Sequence, residues 1–300
     1  MRAAQLFDQV KEEIARDASV MLCTAATVGP QVTLADENVA KYMKAANALV
    51  VDEAGTCPDR SIVPLLPYRD SGSCFGRAVL VGDEKQLPPF SRLDESVRNA
   101  SLLERAVSKV GGHMLTTQYR MPPSLCRVVS DAFYDGQLVT AETKAIETNR
   151  KGGPCIVFDP IDGEAKSNGR SKSLFNEEEA EAAVMHALRL KREHPNWSVA
   201  AITFYKQQFK LISEYLEQFG GESTAEEISV LSVDAAQGQE FDAVVLSAVV
   251  DGSRPSFLRD ERRQCVGISR AKQRFIIVAS PHLCHNMKIF RSLRDAARAR

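Results

Sequence analysis

Short apolar runs rich in β-branched residues recur along the chain and alternate with longer segments of helical periodicity. The runs at 20–24, 48–52, 78–82, 114–117, 156–158, 199–204, 228–233, 243–250 and 275–280 predict strands. Several are apolar at every position, the pattern of strands covered on both faces in a parallel sheet. Between them, apolar residues spaced for one helix face predict helices near 2–17, 37–46, 96–109, 123–132, 176–193 and 206–219. Such alternation predicts an α/β fold of βαβ units. The helix beginning at Glu177 has the clearest punctuation. Asn176 can cap it, and Glu179 stands at capping-box spacing. Glu177, Glu178 and Glu179 lie at the positive end of the helix dipole and Arg189, Lys191 and Arg192 at the negative end. Ala180, Ala183, Val184, Ala187 and Leu188 form its buried stripe. The acidic run reads as a solvated helix start and not as a metal site. Polar stretches at 58–76 and 159–173 predict loops, and the alternation restarts after Gly111-Gly112, which predicts domains at 1–112 and 113–300.

Composition narrows the class. A chain of 300 residues suits two domains or one large one, and 44% apolar with 26% charged residues argues against disorder. A net charge of −1 excludes a polybasic nucleic-acid binder, although a local groove can be positive on a neutral protein. No apolar run is long enough for a membrane span. Glu12, Glu13 and Asp17 stand where the apolar core of a signal peptide would be. Seven scattered cysteines without a C-x-x-C pair fit buried thiols in a reducing compartment, cytoplasmic or nuclear. The group His282, Cys284 and His285 lacks zinc-ligand spacing. Residues 259–300 carry 11 Lys and Arg against 3 Asp and Glu, which fits either phosphate contact or a solvated amphipathic helix end.

Two strand ends carry candidate chemistry. Ala48-Leu49-Val50-Val51-Asp52-Glu53-Ala54 is an apolar strand closing on two acids, the Walker B arrangement. There Asp52 can hold Mg²⁺ and Glu53 can orient or deprotonate an attacking water; the plainer reading is a strand that exits into solvent. The run 79–83 ends likewise in Gly82-Asp83, followed by Gln86, a neutral two-way hydrogen-bonding group able to sense a terminal phosphate, and by Pro88-Pro89. Here the plainer reading is a proline-rich turn.

Further along come Thr117-Gln118-Tyr119-Arg120-Met121, then Ser232-Val233-Asp234-Ala235-Ala236-Gln237-Gly238-Gln239-Glu240, then Arg262-Arg263-Gln264-Cys265-Val266-Gly267-Ile268-Ser269-Arg270-Ala271-Lys272. In this order and spacing the set resembles the motifs of superfamily 1 helicases, in the group of the nonsense-mediated-decay and senataxin-type enzymes. Residues 20–24 resemble that group's strand before the acidic motif, and Tyr205 with Gln208 its Tyr-x-x-Gln signature. The resemblance covers about residues 18–281. It implies two RecA-like parallel-sheet lobes of the P-loop NTPase type, with ATP and Mg²⁺ between them. On the first lobe it implies Asp52 as metal ligand, Glu53 as catalytic base and Gln86 as γ-phosphate sensor. On the second it implies Tyr119 as a stacking face for adenine, Arg120 and Arg270 as arginine fingers, Gln237 and Gly238 beside the nucleotide, and Glu240 at the ribose. Single-stranded RNA or DNA would cross both lobes, with Thr24, Thr27 and Ser232 as phosphate contacts.

The sequence also departs from the family pattern. No G-x-x-x-x-G-K-[ST] phosphate-binding loop occurs, and Asp52 lies only some 50 residues from Met1. The expectation is an incomplete first lobe, a fragment or truncated form, with weak ATP affinity, low turnover and lower stability at 1–110. The alternative is a non-catalytic relic that binds nucleic acid or a partner. Gly55-Thr56, Gln264-Cys265 and Gly267-Ile268-Ser269 are further variations on the family pattern.

Overall fold

The computed structural model describes residues 9, 10, 13, 18–20, 22–24, 46–58, 61, 77–90, 101–151, 154–169, 173–250 and 257–299. Residues 9, 10 and 13 of the helix predicted at 2–17 are helical. The helix predicted at 37–46 (all but residue 46), most of the loop at 58–76, and Thr27 lie outside the described residues. The strand predicted at 20–24 is not observed at residues 20 and 22–24. Val20 and Leu22 are exposed, so among the described residues the local apolarity there is not buried against a neighbour. The chain divides into two compact units, Met1–Glu84 with Pro88–Gly112, and Lys85–Leu87 with His113–Arg300.

In the first unit, β1 (Ala48–Val51) and β2 (Arg77–Leu80) pair in parallel, with Ala48 opposite Arg77 and Val51 opposite Leu80. Helix α1 (Leu102–Val110) opens on a complete capping box. Ser101 Oγ accepts the Glu104 N–H at 3.2 Å and the Glu104 carboxylate accepts the Ser101 N–H at 3.1 Å. Val51, Ala54 and Leu103 form a small buried cluster, while Val50 and Val79 remain half or more exposed. Hydrogen exchange is therefore expected to be much faster at the amides of β1 and β2 than in the central strands of the second unit. Equal protection by native-state exchange would show that this sheet is stabilised as well as the larger one.

The second unit is built on five parallel strands in the order β5 (Ile156–Pro160), β9 (Ala271–Ala279), β8 (Phe241–Ser247), β6 (Val199–Thr203), β7 (Ile228–Ser232). Period-two alternation sends Ala200, Ile202, Val244, Leu246, Phe275 and Ile277 into one core. Val199, Ala201, Ala243, Val245, Ile276 and Val278 enter the other. Both sets are buried, which is why these strands read as unbroken apolar runs. The second core is covered by α4 (Glu177–Glu193) and α5 (Lys206–Glu226) through residues such as Ala183, Val184, Ala187, Ile212 and Leu216. The first is covered by α2 (Pro123–Phe133), α6 (Glu261–Ile268) and α8 (Lys288–Arg298) through Leu125, Val129, Val266, Phe290 and Leu293. This is the α/β architecture of parallel strands covered on both faces that the apolar runs predict.

Several boundaries differ from the sequence expectation. The strand at 114–117 shrinks to β3 (Thr117–Gln118), paired with the unforeseen β4 (Val139–Thr140) in a separate two-stranded sheet. Helices α3 (Glu142–Lys151), α6 and α7 (Leu283–Asn286) are additional to the sequence expectation, while α8 matches the amphipathic helix end that was one of two readings of residues 259–300. On α4, Asn176 caps as predicted, its Oδ1 accepting the Glu179 N–H at 3.0 Å. Glu179 itself is fully buried, so it is not part of a solvated helix start.

Candidate functional site

In the first unit the tips of β1 and β2 are locked together by backbone hydrogen bonds. Val81 N–H donates to the Val51 carbonyl and Ala54 N–H to the Val81 carbonyl, both at 2.8 Å. Asp52 and Glu53 follow β1 and are exposed. Asp52 Oδ1 accepts the Glu53 N–H at 2.9 Å, which orients that carboxylate. Glu53 takes a positive φ of 51°, a conformation uncommon for a residue with a Cβ and concentrated at functional sites. Gly82 makes the close approach possible. A Cβ there would stand 2.9 Å from Gly55 N and Leu103 Cδ2 and 3.0 Å from Ala54 N. Gly82→Ala is expected to destabilise this unit by about 1–3 kcal/mol, measurable by denaturant titration. An unchanged midpoint would mean that the strand tips are free to separate.

In the second unit four elements converge on two guanidinium groups. After β3, the Gln118 side chain shapes the turn: its Oε1 accepts the N–H of Arg120 at 2.9 Å and of Met121 at 2.7 Å. Its Nε2 donates to the Met121 carbonyl and to Thr140 Oγ1. That turn leaves Tyr119 70% exposed, with its ring offered outward. It also aims Arg120 at Glu240, with Nε at 3.0 Å from the carboxylate and Nη1 at 3.5 Å from the Ser269 carbonyl. Lys272 lies on the other Glu240 oxygen at 3.7 Å. The Arg120 hydrogen bond, reinforced by the charges of Arg120 and Lys272, holds the Glu240 carboxyl below its usual range.

Arg270 is 1% exposed. Its Nε donates to the Val266 carbonyl at 3.1 Å and its Nη1 to the Gln239 carbonyl at 3.3 Å. Its Nη2 donates to Ser269 Oγ at 2.8 Å and to Gln86 Oε1 at 3.1 Å. Gln86, expected with the first lobe, thus groups with the second unit and shares a hydrogen bond with Arg270. Gln237 and Gly238 lie in the turn after β7, Gln237 half-buried and Gly238 exposed. Gly238 has a φ of 74° and open space where a Cβ would stand, so its peptide is accessible to a ligand. Ser232 closes β7, its Oγ accepting the Ala235 N–H at 3.2 Å. Thr24 is exposed in irregular backbone of the first unit.

The structure therefore gathers Gln86, Arg120, Glu240 and Arg270 in one hydrogen-bonded group, with Tyr119 on the adjoining turn. Asp52 and Glu53 stand on the other unit. Sequence reasoning missed Gln118, which builds the Tyr119–Arg120 turn, and Lys272, which balances Glu240. Both lie inside or next to the quoted motifs, and only the distances reveal their roles. Gln208 also gains a meaning. It is buried, and its amide ties the Asn176 backbone to Ser247.

Comparison with known proteins follows the same lines. Two family models, each described as an AAA domain, match residues 98–282 and 2–91. Among curated proteins, the chain is 30% identical over 272 residues to helicase SEN1 of Saccharomyces cerevisiae, covering 85% of this chain and 12% of that protein. It is 30% identical over 297 residues to the regulator of nonsense transcripts 1 homolog of Neurospora crassa, covering 93% and 26%. It is 29% identical over 301 residues to the ATP-dependent helicase NAM7 of Saccharomyces cerevisiae, covering 93% and 29%. The chain thus spans under a third of the length of these relatives. With one AAA-domain model alone covering more than half of its residues, and with motif order and relatives in agreement, the chain belongs to the superfamily 1 helicases of the nonsense-decay and senataxin group.

Proposed function

We propose that the chain is the motor portion of an ATP-dependent helicase or translocase acting on single-stranded RNA or DNA in the cytoplasm or nucleus. It would form two lobes, 1–112 and 113–300, the first lacking its phosphate loop. The Gln86–Arg270 hydrogen bond beside the Arg120–Glu240 pair carries this reading. A neutral amide and two guanidinium groups held together suit a terminal phosphoryl group whose charge grows during transfer. Tyr119 offers a face for the base, and the exposed peptide of Gly238 with Gln237 and Glu240 suits the ribose side. The donor set at the β1 tip fits a hard divalent cation. Asp52 supplies carboxylate oxygen, already oriented, and Glu53 stands beside it to orient water. Bound Mg²⁺ would neutralise charge on the phosphates. Thr24, Thr27 and Ser232 are assigned to phosphates of the single strand.

One observation favours a second reading, a non-catalytic binder of nucleic acid or of a partner. No G-x-x-x-x-G-K-[ST] loop occurs in the 300 residues, so the lysine and amides that anchor ATP phosphates in this family are not supplied by this sequence. The purified chain separates the readings in two assays, anisotropy of a fluorescein-labelled single-stranded oligonucleotide and nucleic-acid-stimulated ATP hydrolysis. Oligonucleotide binding that weakens with salt, with turnover near background, is expected of this chain. Robust turnover abolished by Glu53→Gln would establish catalysis without the loop. A chain that binds neither oligonucleotide nor ATP would refute the assignment.

A further inference from the structure

A buried polar network lies at the carboxyl ends of β6 and β8, outside the group around Arg270. Glu179, on the first turn of α4, is 0% exposed. One of its oxygens accepts both the Ser247 hydroxyl at 2.8 Å and the Val249 N–H at 2.7 Å. Ser247 Oγ also accepts Gln208 Nε2 at 3.0 Å. The same Nε2 reaches the Asn176 carbonyl at 3.0 Å, while Gln208 Oε1 accepts the Asn176 N–H at 2.8 Å. The loop closes at Asn176 Oδ1, which caps Glu179. Three chain segments separated by some 30–70 residues are tied by this network: the start of α4, the start of α5 after β6, and the exit of β8.

Two features exceed what helix capping needs. Val249 adopts a φ of 70°. That is an outlier for a β-branched residue, and such strain persists where surrounding contacts hold it and function uses it. The position in the sheet is the second. β6 is followed by β7 on one side, whereas β8 lies on its other side and leads outward to β9. The chain thus reverses its direction across the sheet between β6 and β8, and ligands of open parallel sheets bind outside the carboxyl ends at such a reversal.

We infer that Glu179 is a positioning residue for single-stranded nucleic-acid binding. Through Ser247, Gln208 and the Val249 N–H it fixes the backbone at the ends of β6 and β8, over which the phosphodiester chain passes. This rests on the function proposed above. Glu179 touches no ligand; it acts through the segment it holds. Glutamine at 179 keeps an acceptor for Val249 and Ser247, whereas leucine fills the space without one.

The test compares wild type, Glu179→Gln, Glu179→Leu and Ser247→Ala by anisotropy with a labelled single-stranded oligonucleotide of about 20 nucleotides, long enough to span such a groove. The backbone amide resonance of Val249 is followed in the same variants. Glu179→Leu is expected to fold by circular dichroism, to bind about tenfold more weakly and to shift the Val249 resonance strongly. Glu179→Gln should restore affinity to within about twofold, with a small shift. A folded Glu179→Leu with wild-type affinity, or with an unmoved Val249 resonance, overturns the inference alone. If Glu179→Leu fails to fold, Ser247→Ala decides, with about threefold weaker binding expected and wild-type affinity overturning it. Wild-type protein that binds no oligonucleotide refutes the function reading and takes this inference with it.

Discussion

Arg270→Lys, which conserves charge, is expected to lower the stability of the second unit by about 2–3 kcal/mol. The reason is geometric. The buried guanidinium serves the carbonyls of Val266 and Gln239, the Ser269 hydroxyl and the Gln86 amide from three nitrogens at once. An ammonium is a point donor at the end of a flexible stem and cannot reach all four, so buried acceptors lose their partner. Calorimetry should show the melting transition of this unit lowered by about 5–10 °C. Arg270→Ala removes the side chain volume as well and should exceed this. On the proposed role, loss of the guanidinium also slows phosphoryl transfer by about 10³–10⁵ in a form of the protein that turns ATP over. A lysine variant with unaltered melting would mean that the fork of hydrogen bonds around Arg270 contributes nothing, and the phosphate-sensing group would lose its support.

The second large effect is one of pH. Burial pushes the Glu179 carboxyl from its ordinary 4.5 up to about 7, opposed by the bonds from Val249 and Ser247. The charge of Glu178 on the same helix adds to the rise; the groups that face it from β8 and α5 are neutral. A carboxyl raised in the folded state binds its proton more tightly there than in the unfolded chain. Its contribution is therefore favourable below about pH 4.5 and declines as pH rises through about 7. The gap corresponds to about 3 kcal/mol. Denaturant titrations of wild type and Glu179→Gln at pH 5 and pH 8 isolate it. The glutamine variant should gain most of that amount, about 2–3 kcal/mol, on the wild type between the two conditions. A constant difference between the proteins would mean that Glu179 is ionised throughout.

How much of this was legible follows from where each signal resides. The five-stranded sheet was readable because its strands bury both faces. Runs such as Ala243 to Leu246 have no polar positions to confuse the period. Helix α8 was legible only as one of two readings, for the opposite reason. Ile289, Phe290 and Leu293 do make an apolar stripe, but Lys288, Arg291, Arg294 and Arg298 dominate the composition and suggested a basic tail. Two of these arginines are locally engaged, Arg291 with the carbonyls of Cys284 and His285 and Arg294 with Asp295. Arg120, Arg270 and Gln86 could be named from motif order, yet their mutual hydrogen bonds could not, because Gln86 lies 184 positions from Arg270. Glu179 stands at the capped helix start as expected, but buried and not solvated. Three consecutive glutamates look alike in a sequence, and the partners that bury the third lie 68 and 70 residues further on.

The strand order carries a consequence for synthesis. Among the described residues β5 pairs with β9 alone, and β9 also completes the ladder of β8. On the ribosome, β5 emerges more than a hundred residues before its neighbour, and until 271–279 has left the exit tunnel two strand borders stay open to other chains. Nascent or prematurely ended polypeptides of this unit are thus the species most in need of chaperone cover, and the final strand acts as the slat whose insertion seals the sheet.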